Sequence, residues 1–187
     1  MHDLTPVTAL GGTEPRVDTI GTLTISEHPG VALASVAMRN RKKTGFTKGM
    51  KALLGTVPGP GRYHFGDPIS GFWMGPDQWM IGAAMETHED LADQAKALLG
   101  DTASVTEQSG AWVVFDLQGD RMRDAMELLC AVNIRKMGPG DAQRTMIHQL
   151  GCFVIPRQEA DRVYILGPRA SAGSLHHALI GAAKSVA

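Results

Sequence analysis

Polar and apolar residues alternate along Val17–Glu27 (VDTIGTLTISE), and apolar ones fill Val31–Met38 (VALASVAM). This pattern predicts two strands separated by the turn His28-Pro29-Gly30. The period then changes. Phe46, Met50, Leu53 and Leu54 fall at i, i+4, i+7 and i+8, one apolar stripe that predicts a helix over 44–54, with Gly55 placed to end it. Residues 56–70 hold three prolines and three glycines and read as loop. The next stretch, GFWMGPDQWMI (71–81), predicts two short strands folded about Gly75-Pro76-Asp77-Gln78, because proline pre-sets φ for a turn and Asp suits one. Thr87-His88-Glu89-Asp90 has the spacing of a capping box. The helix it predicts carries Leu91, Ala95, Leu98 and Leu99 on one side and ends at Gly100.

The second half repeats the theme. Ala103–Gln108 and Ala111–Gln118 read as strands joined by a Ser109-Gly110 turn. Asp120 is placed as the N-cap of a helix with Met122, Ala125, Met126, Leu129 and Cys130 on one face. Residues 133–142 are irregular. Strands follow at Thr145–Leu150, Cys152–Arg157 and Arg162–Leu166, with Gly167-Pro168 breaking the run. Ser171 or Ser174 can cap a last helix with Leu175, Ala178, Leu179, Ala182 and Ala183 inward. Strands in pairs with short turns predict an α+β fold, antiparallel sheets with helices packed on one side, and argue against a doubly wound parallel sheet. The expected organisation is an extended N-terminal arm over residues 1–16 and one domain over 17–187, built of two interlocked α+β halves, roughly 17–100 and 101–187.

Composition narrows the function classes. At 187 residues, 43% hydrophobic and 20% charged, the chain is of ordinary globular make-up and long enough to bury a core without disulfide or metal staples. A net charge of −1 gives no bulk attraction to nucleic acid or to an anionic membrane. No apolar run approaches the ~18 residues of a membrane span, and MHDLTPVTALGG lacks the basic and apolar regions of a secretory signal. The two cysteines, Cys130 and Cys152, each sit in an apolar run and read as small buried hydrophobes in a reducing compartment. The expectation is a soluble, cytoplasmic protein.

Candidate chemistry is sparse. None of the seven histidines forms a metal-binding spacing, and neither cysteine has a partner at such a spacing, so no metal ligands are assigned. In His176-His177, adjacent helical residues point about 100° apart, which predicts one packed and one solvated ring. The run Gly59–Gly66 (GPGRYHFG) has glycines but follows no strand, opens no helix and lacks the Gly-Lys-Ser/Thr of a phosphate loop. There is no Gly-x-Ser-x-Gly elbow, and Ser109 reads as a turn residue, so no catalytic residue is assigned. Arg39, Arg41, Lys42 and Lys43 form the densest charge run, just before the first helix. It reads either as a solvated turn or as a docking patch for an acidic partner surface, and cations at a helix N-terminus oppose the macrodipole. Met122 and Met126 belong to a core face, whereas Met74, Met80 and Met85 beside the tryptophans fit a core or a protein interface.

Four segments in order carry a resemblance: LTPVTALGG, GFWMGPDQWMI, VTEQSGAWVVFDLQGDRMRDAMELLCAVNI and CFVIPRQEADRVYILGPRASAGSLHHALIGAA. Together they cover nearly the whole chain, which resembles the gamma subunit of heterotetrameric sarcosine oxidase, a small relative of the folate-binding domain of aminomethyltransferases. The resemblance implies a complex that oxidatively demethylates sarcosine to glycine, forms hydrogen peroxide, and yields formaldehyde or methylene-tetrahydrofolate. It implies partners in the alpha, beta and delta subunits. The cofactors of that family, FAD, FMN, NAD and zinc, together with the tetrahydrofolate site, are expected on those other chains. Aminomethyltransferases use an acidic residue in an Asp-Asp pair, and this chain has none; the corresponding region reads Gly71-Phe72-Trp73-Met74. The expectation is therefore a non-catalytic structural subunit. A stand-alone folate-binding one-carbon protein is the alternative, and an adaptor docking through Arg39–Lys43 is a third.

Overall fold

The computed structural model describes residues 6–187. Strands β1 (Val17–Ile20), β2 (Leu23–Glu27) and β3 (Val31–Met38) lead into helix α1 (Lys43–Leu54). Strands β4 (Tyr63–His64), β5 (Ser70–Gly75) and β6 (Gln78–Ala84) precede α2 (Leu91–Leu99). Then come β7 (Ala103–Glu107), β8 (Trp112–Gln118) and α3 (Met122–Leu129). The chain closes with β9 (Gln143–Ile147), β10 (Leu150–Pro156), β11 (Arg162–Pro168) and α4 (Ala172–Val186). The fold is α+β, with two antiparallel sheets and four helices. No helix among the described residues is long and apolar enough to cross a membrane.

Two compact units divide the chain. One comprises Gly30–Gly110 with Gly140–Ala142; the other joins the chain up to Pro29 with Ala111–Pro139 and Gln143–Ala187. The division expected near residue 100 is thus replaced by one in which the first strands belong with the last. Pairing is the reason: β2 is hydrogen-bonded to β8, 90 residues on in the case of Ser26 and Asp116.

The Gly30–Gly110 unit holds a five-stranded sheet in the order β4-β5-β6-β3-β7. Its interior strands β3 and β6 are apolar along most of their length because both of their faces are buried. Ala32, Ala34, Val36, Trp79 and Ile81 turn one face toward Phe46, Met50 and Leu54 of α1 and Leu91, Ala95 and Leu99 of α2. Leu98, expected on the same face, is 49% exposed. The capping box does not form either. Helix α2 starts at Leu91 after Asp90, the Thr87 hydroxyl meets the Ala84 carbonyl and the His88 ring, and Asp90 accepts from Gln94. At the other end of α1, Gly55 adopts φ +75° and its amide donates to the Lys51 carbonyl, as its position predicts.

The second unit holds a six-stranded sheet in the order β1-β2-β8-β11-β10-β9. Leu23, Ile25, Phe115, Leu117, Val154 and Ile165 share a core with Met122 and Met126 of α3 and Leu175 and Leu179 of α4. Three local expectations are corrected here. Gly21 at φ +57° splits the anticipated strand over 17–27 into the hairpin β1–β2. His148 and Gln149, both at positive φ, form a two-residue hairpin turn inside the segment expected as strand 145–150. Helix α3 is preceded by Arg121 without a side-chain cap, so Asp120 does not serve as one. A fourth correction concerns pairing: β7 lies in the five-stranded sheet and β8 in the six-stranded one, so Ser109-Gly110 joins two sheets and not two paired strands.

Residues 1–5 of the anticipated arm lie outside the described residues. The following segment is held by a carboxylate: buried Glu27 accepts from the amides of Leu10 and Arg16. Thr8, also buried, accepts from the amides of Gly11 and Gly12 through its carbonyl and hydroxyl.

Candidate functional site

The hairpin β5–β6 positions the most developed surface feature of the first unit. Trp73 pairs opposite Trp79 and Gly75 opposite Gln78, so Met74 is an extra residue that bulges β5. Asp77 takes φ +57° at the turn, a conformation that a short polar side chain tolerates better than most. Its carbonyl accepts from the amide of Met38 at 2.9 Å, tying the end of β3 to the turn. The two tryptophans then part company. Trp79 is buried, its ring centroid 4.9 Å from that of Phe46, and its indole N–H donates to the Pro58 carbonyl at 2.8 Å. Trp73 is half-buried.

The Trp79–Pro58 bond fixes the loop after α1 beside the hairpin and leaves an open groove of about 470 Å³. Met38, Val57 and Pro58 give it apolar walls, with the buried Phe46 and Trp79 behind them. Lys43, Thr47, Trp73 and Asp77 bring polar atoms to it. None of these four side chains makes a hydrogen bond or ion pair among the described residues. The groove can therefore offer three donors and an acceptor around an apolar slot, the composition of a ligand-binding site.

The basic run lies where the sequence suggested, and the structure sorts its members. All four residues are exposed. Lys42 is paired with Asp101 at 2.7 Å, and Arg39 Nε donates to the Ser104 hydroxyl at 3.3 Å. Arg41 holds φ +61° in the loop. Lys43 begins α1 and lines the groove, so the run and GFWMGPDQWMI, treated as separate features in the sequence, meet at one place. Sequence reasoning missed Met38, Val57 and Pro58, because a strand end and a proline loop carry no signal of shared position until the Trp79 bond is known.

The second unit has its own cluster of polar side chains. Arg162 clasps Asp116, Nε lying 3.0 Å from both carboxylate oxygens and the terminal nitrogen 2.7 Å from one. The Arg157 guanidinium lies 4.2 Å from the centroid of the Tyr164 ring, which also has the His28 ring at 5.1 Å and the Arg162 guanidinium at 5.6 Å. Burial lowers the His28 pKa; Asp116 opposes this and the two arginines reinforce it. His176 is buried with Nε2 2.8 Å from Asp18, and His177 is exposed, the split expected of neighbours on a helix. Burial pushes the Cys152 thiol up to about 11, so it is a poor nucleophile; Cys130 is half-buried. Among the described residues, no three His, Cys, Asp or Glu side chains gather closely enough to hold a metal ion.

Comparison with known proteins gives the fold a setting. No family model matches the chain, and no curated protein matches its sequence. Among solved structures it is similar to a chain of the heterotetrameric sarcosine oxidase from Corynebacterium sp. U-96 in complex with pyrrole 2-carboxylate. That likeness has a TM-score of 0.76 and 21% identity, and covers 91% of this chain and 88% of that one. The glycine cleavage system aminomethyltransferase T from Bartonella henselae is similar with a TM-score of 0.63 at 13% identity. Here 87% of this chain is covered but 46% of the other, so the chain spans about half the length of that enzyme. The α+β arrangement expected from the strand and helix order is thus the arrangement of these two proteins.

Proposed function

We propose that this chain is the gamma subunit of a heterotetrameric sarcosine oxidase, a structural subunit without catalytic residues of its own. The observation that supports this is the two-sided coverage: nine-tenths of each chain superposes on the other in the sarcosine oxidase pair, against under half of the aminomethyltransferase. On this reading the alpha, beta and delta subunits carry FAD, FMN, NAD and zinc and use tetrahydrofolate. This chain contributes surfaces, Arg39, Arg41, Lys42 and Lys43 among them. Co-expressing the four subunits with an affinity tag on this one is expected to retrieve a flavin-coloured assembly that forms hydrogen peroxide when given sarcosine. Recovery of this chain alone overturns the proposal.

The likeness to an aminomethyltransferase favours a second reading, a stand-alone folate-binding one-carbon protein. It predicts that tetrahydrofolate changes the fluorescence of Trp73, Trp79 or Trp112 in the isolated chain, and an unchanged spectrum at millimolar ligand rules it out.

A further inference from the structure

We propose that the groove beside Trp73 is the docking site for an extended, acidic segment of a partner polypeptide that carries a proline or aliphatic anchor. The proposal rests on reading the chain as a subunit, and it adds where and by what chemistry a partner is held.

The slot itself suits a polypeptide in extended conformation. Met38, Val57 and Pro58 form a shallow apolar trough backed by Phe46 and Trp79. Aromatic-lined troughs of this kind accept polyproline-like segments, whose backbone carbonyls have no internal partners and need donors from outside. Trp73 supplies one. Its ring is half-buried and its indole N–H makes no hydrogen bond among the described residues, whereas the N–H of Trp79 is committed to Pro58. Asp77 on the turn can accept an amide N–H from the same segment.

Charge complementarity sets the partner's sign. Lys43 enters the groove, and Arg39 and Arg41 follow directly from Met38, which is anchored to the Asp77 turn. Lys42 is answered by Asp101, whose carboxylate also feels the Arg39 charge, and among the described residues no carboxylate forms an ion pair with Arg39, Arg41 or Lys43. Asp77 offsets one of them at most. Folding does not call for this charge: α1 has no acidic residue in its first turn, and cations there oppose the helix dipole. Because the cations continue past the groove along the chain, a polypeptide with several carboxylates matches them better than a compact small anion does.

The test uses the full chain with 15N-labelled tryptophan and the synthetic peptide Ac-Glu-Pro-Pro-Leu-Glu-Glu-NH2. The indole N–H resonance of Trp73 is expected to move on titration while that of Trp79 moves far less. Lys43→Glu should weaken binding at least tenfold and Trp73→Phe severalfold, both with an unchanged fold by circular dichroism. The peptide with lysines in place of glutamates should not bind. An unmoved Trp73 resonance at millimolar acidic peptide overturns the proposal, as does equal binding of the lysine peptide. A shift of Trp73 produced by tetrahydrofolate or citrate, with none produced by the peptide, assigns the groove to a small anion instead. Failure here and failure of the subunit reading are separable. A retrieved flavin-coloured complex with a peptide-blind groove sinks only the docking site; a peptide-binding chain that retrieves no partners sinks only the subunit reading.

Discussion

Gly119 follows β8 at φ +127°, and a Cβ added there would lie 2.0 Å from the Thr22 carbonyl oxygen. Both the dihedral and the neighbouring backbone exclude a side chain, so relaxation of a flexible group cannot rescue a substitution. Gly119→Ala should lower stability by about 2–4 kcal/mol, seen as a fall in the urea midpoint at unchanged slope. A loss below 1 kcal/mol would contradict this geometry. His28 gives a residue-scale prediction in pH. Its pKa is lowered by burial, so below the ordinary imidazole value of about 6.5 the unfolded chain binds a proton that the native chain refuses. The stability associated with this ring is complete above that value and drains away as pH falls from it toward the native pKa. Urea midpoints at pH 7.5 and 5.5 should therefore differ less in His28→Gln than in the wild-type chain; equal differences would place the effect elsewhere. The tryptophans show what residue types alone leave open. Trp73 and Trp79 look alike in GFWMGPDQWMI, each with an N–H in need of a partner, and only the position of the Pro58 carbonyl separates the packed ring from the available one.

At the scale of elements, β2, β8 and β11 share a row in which Ser26, Asp116 and Tyr164 stand side by side. Arg162 at the start of β11 answers the buried Asp116. Removing the arginine alone strands a carboxylate, so Arg162→Leu should cost about 3 kcal/mol, and adding Asp116→Leu should recover most of it. If the double variant is no more stable than the single one, the carboxylate is satisfied by something other than Arg162. Elements whose signal is their own periodicity were legible in the sequence. Strand β3 keeps its bounds, and α1 differs by one residue at its start, because an eight-residue apolar run and a four-residue stripe identify themselves. Features decided by competition between groups were not legible. Thr87 has the spacing of a cap, yet its hydroxyl is taken by Ala84 and His88; His148-Gln149 turns the chain with no glycine to announce it. The site divided in the same way. Lys43 and the tryptophan hairpin could be read from the sequence, but the proline loop that completes the groove depends on one long-range hydrogen bond.

At the scale of the whole molecule, the order of strands along the chain predicted the class of fold but not which strands meet. Paired strands imply antiparallel sheets whatever their partners, whereas β2–β8 pairing depends on side chains far apart in sequence. Strands β1 and β2 are consequently part of a sheet otherwise built after Ala111. Deleting the chain through Glu27 removes Leu23 and Ile25, each 1% exposed, and bares the edge of β8. Each lost side chain is worth about 1.5–3 kcal/mol of burial, enough together to threaten a domain of ordinary stability. Hydrogen exchange on the truncated chain should show β8, β10 and β11 losing protection while β3 and β6 keep theirs; protected β8 amides would mean that the first two strands are dispensable.

That arrangement has a consequence during synthesis. A chain emerging from the ribosome presents β1 and β2 well before β8, and β2 cannot be paired on its β8 side until residue 118 has left the exit tunnel. Apart from the bonds that β4 and the residues before it make to Gly140–Ala142, the strands of Gly30–Gly110 find their ladder partners among one another, so most of that unit can form in the interval. The nascent β1–β2 hairpin must wait with Leu23 and Ile25 uncovered, a window in which an unpaired apolar edge is open to wrong partners. Slowing translation between codons 30 and 118 should accordingly raise the share of this protein found with chaperones, and Gly30–Gly110 should become protease-resistant on stalled ribosomes before the sheet that brackets it does.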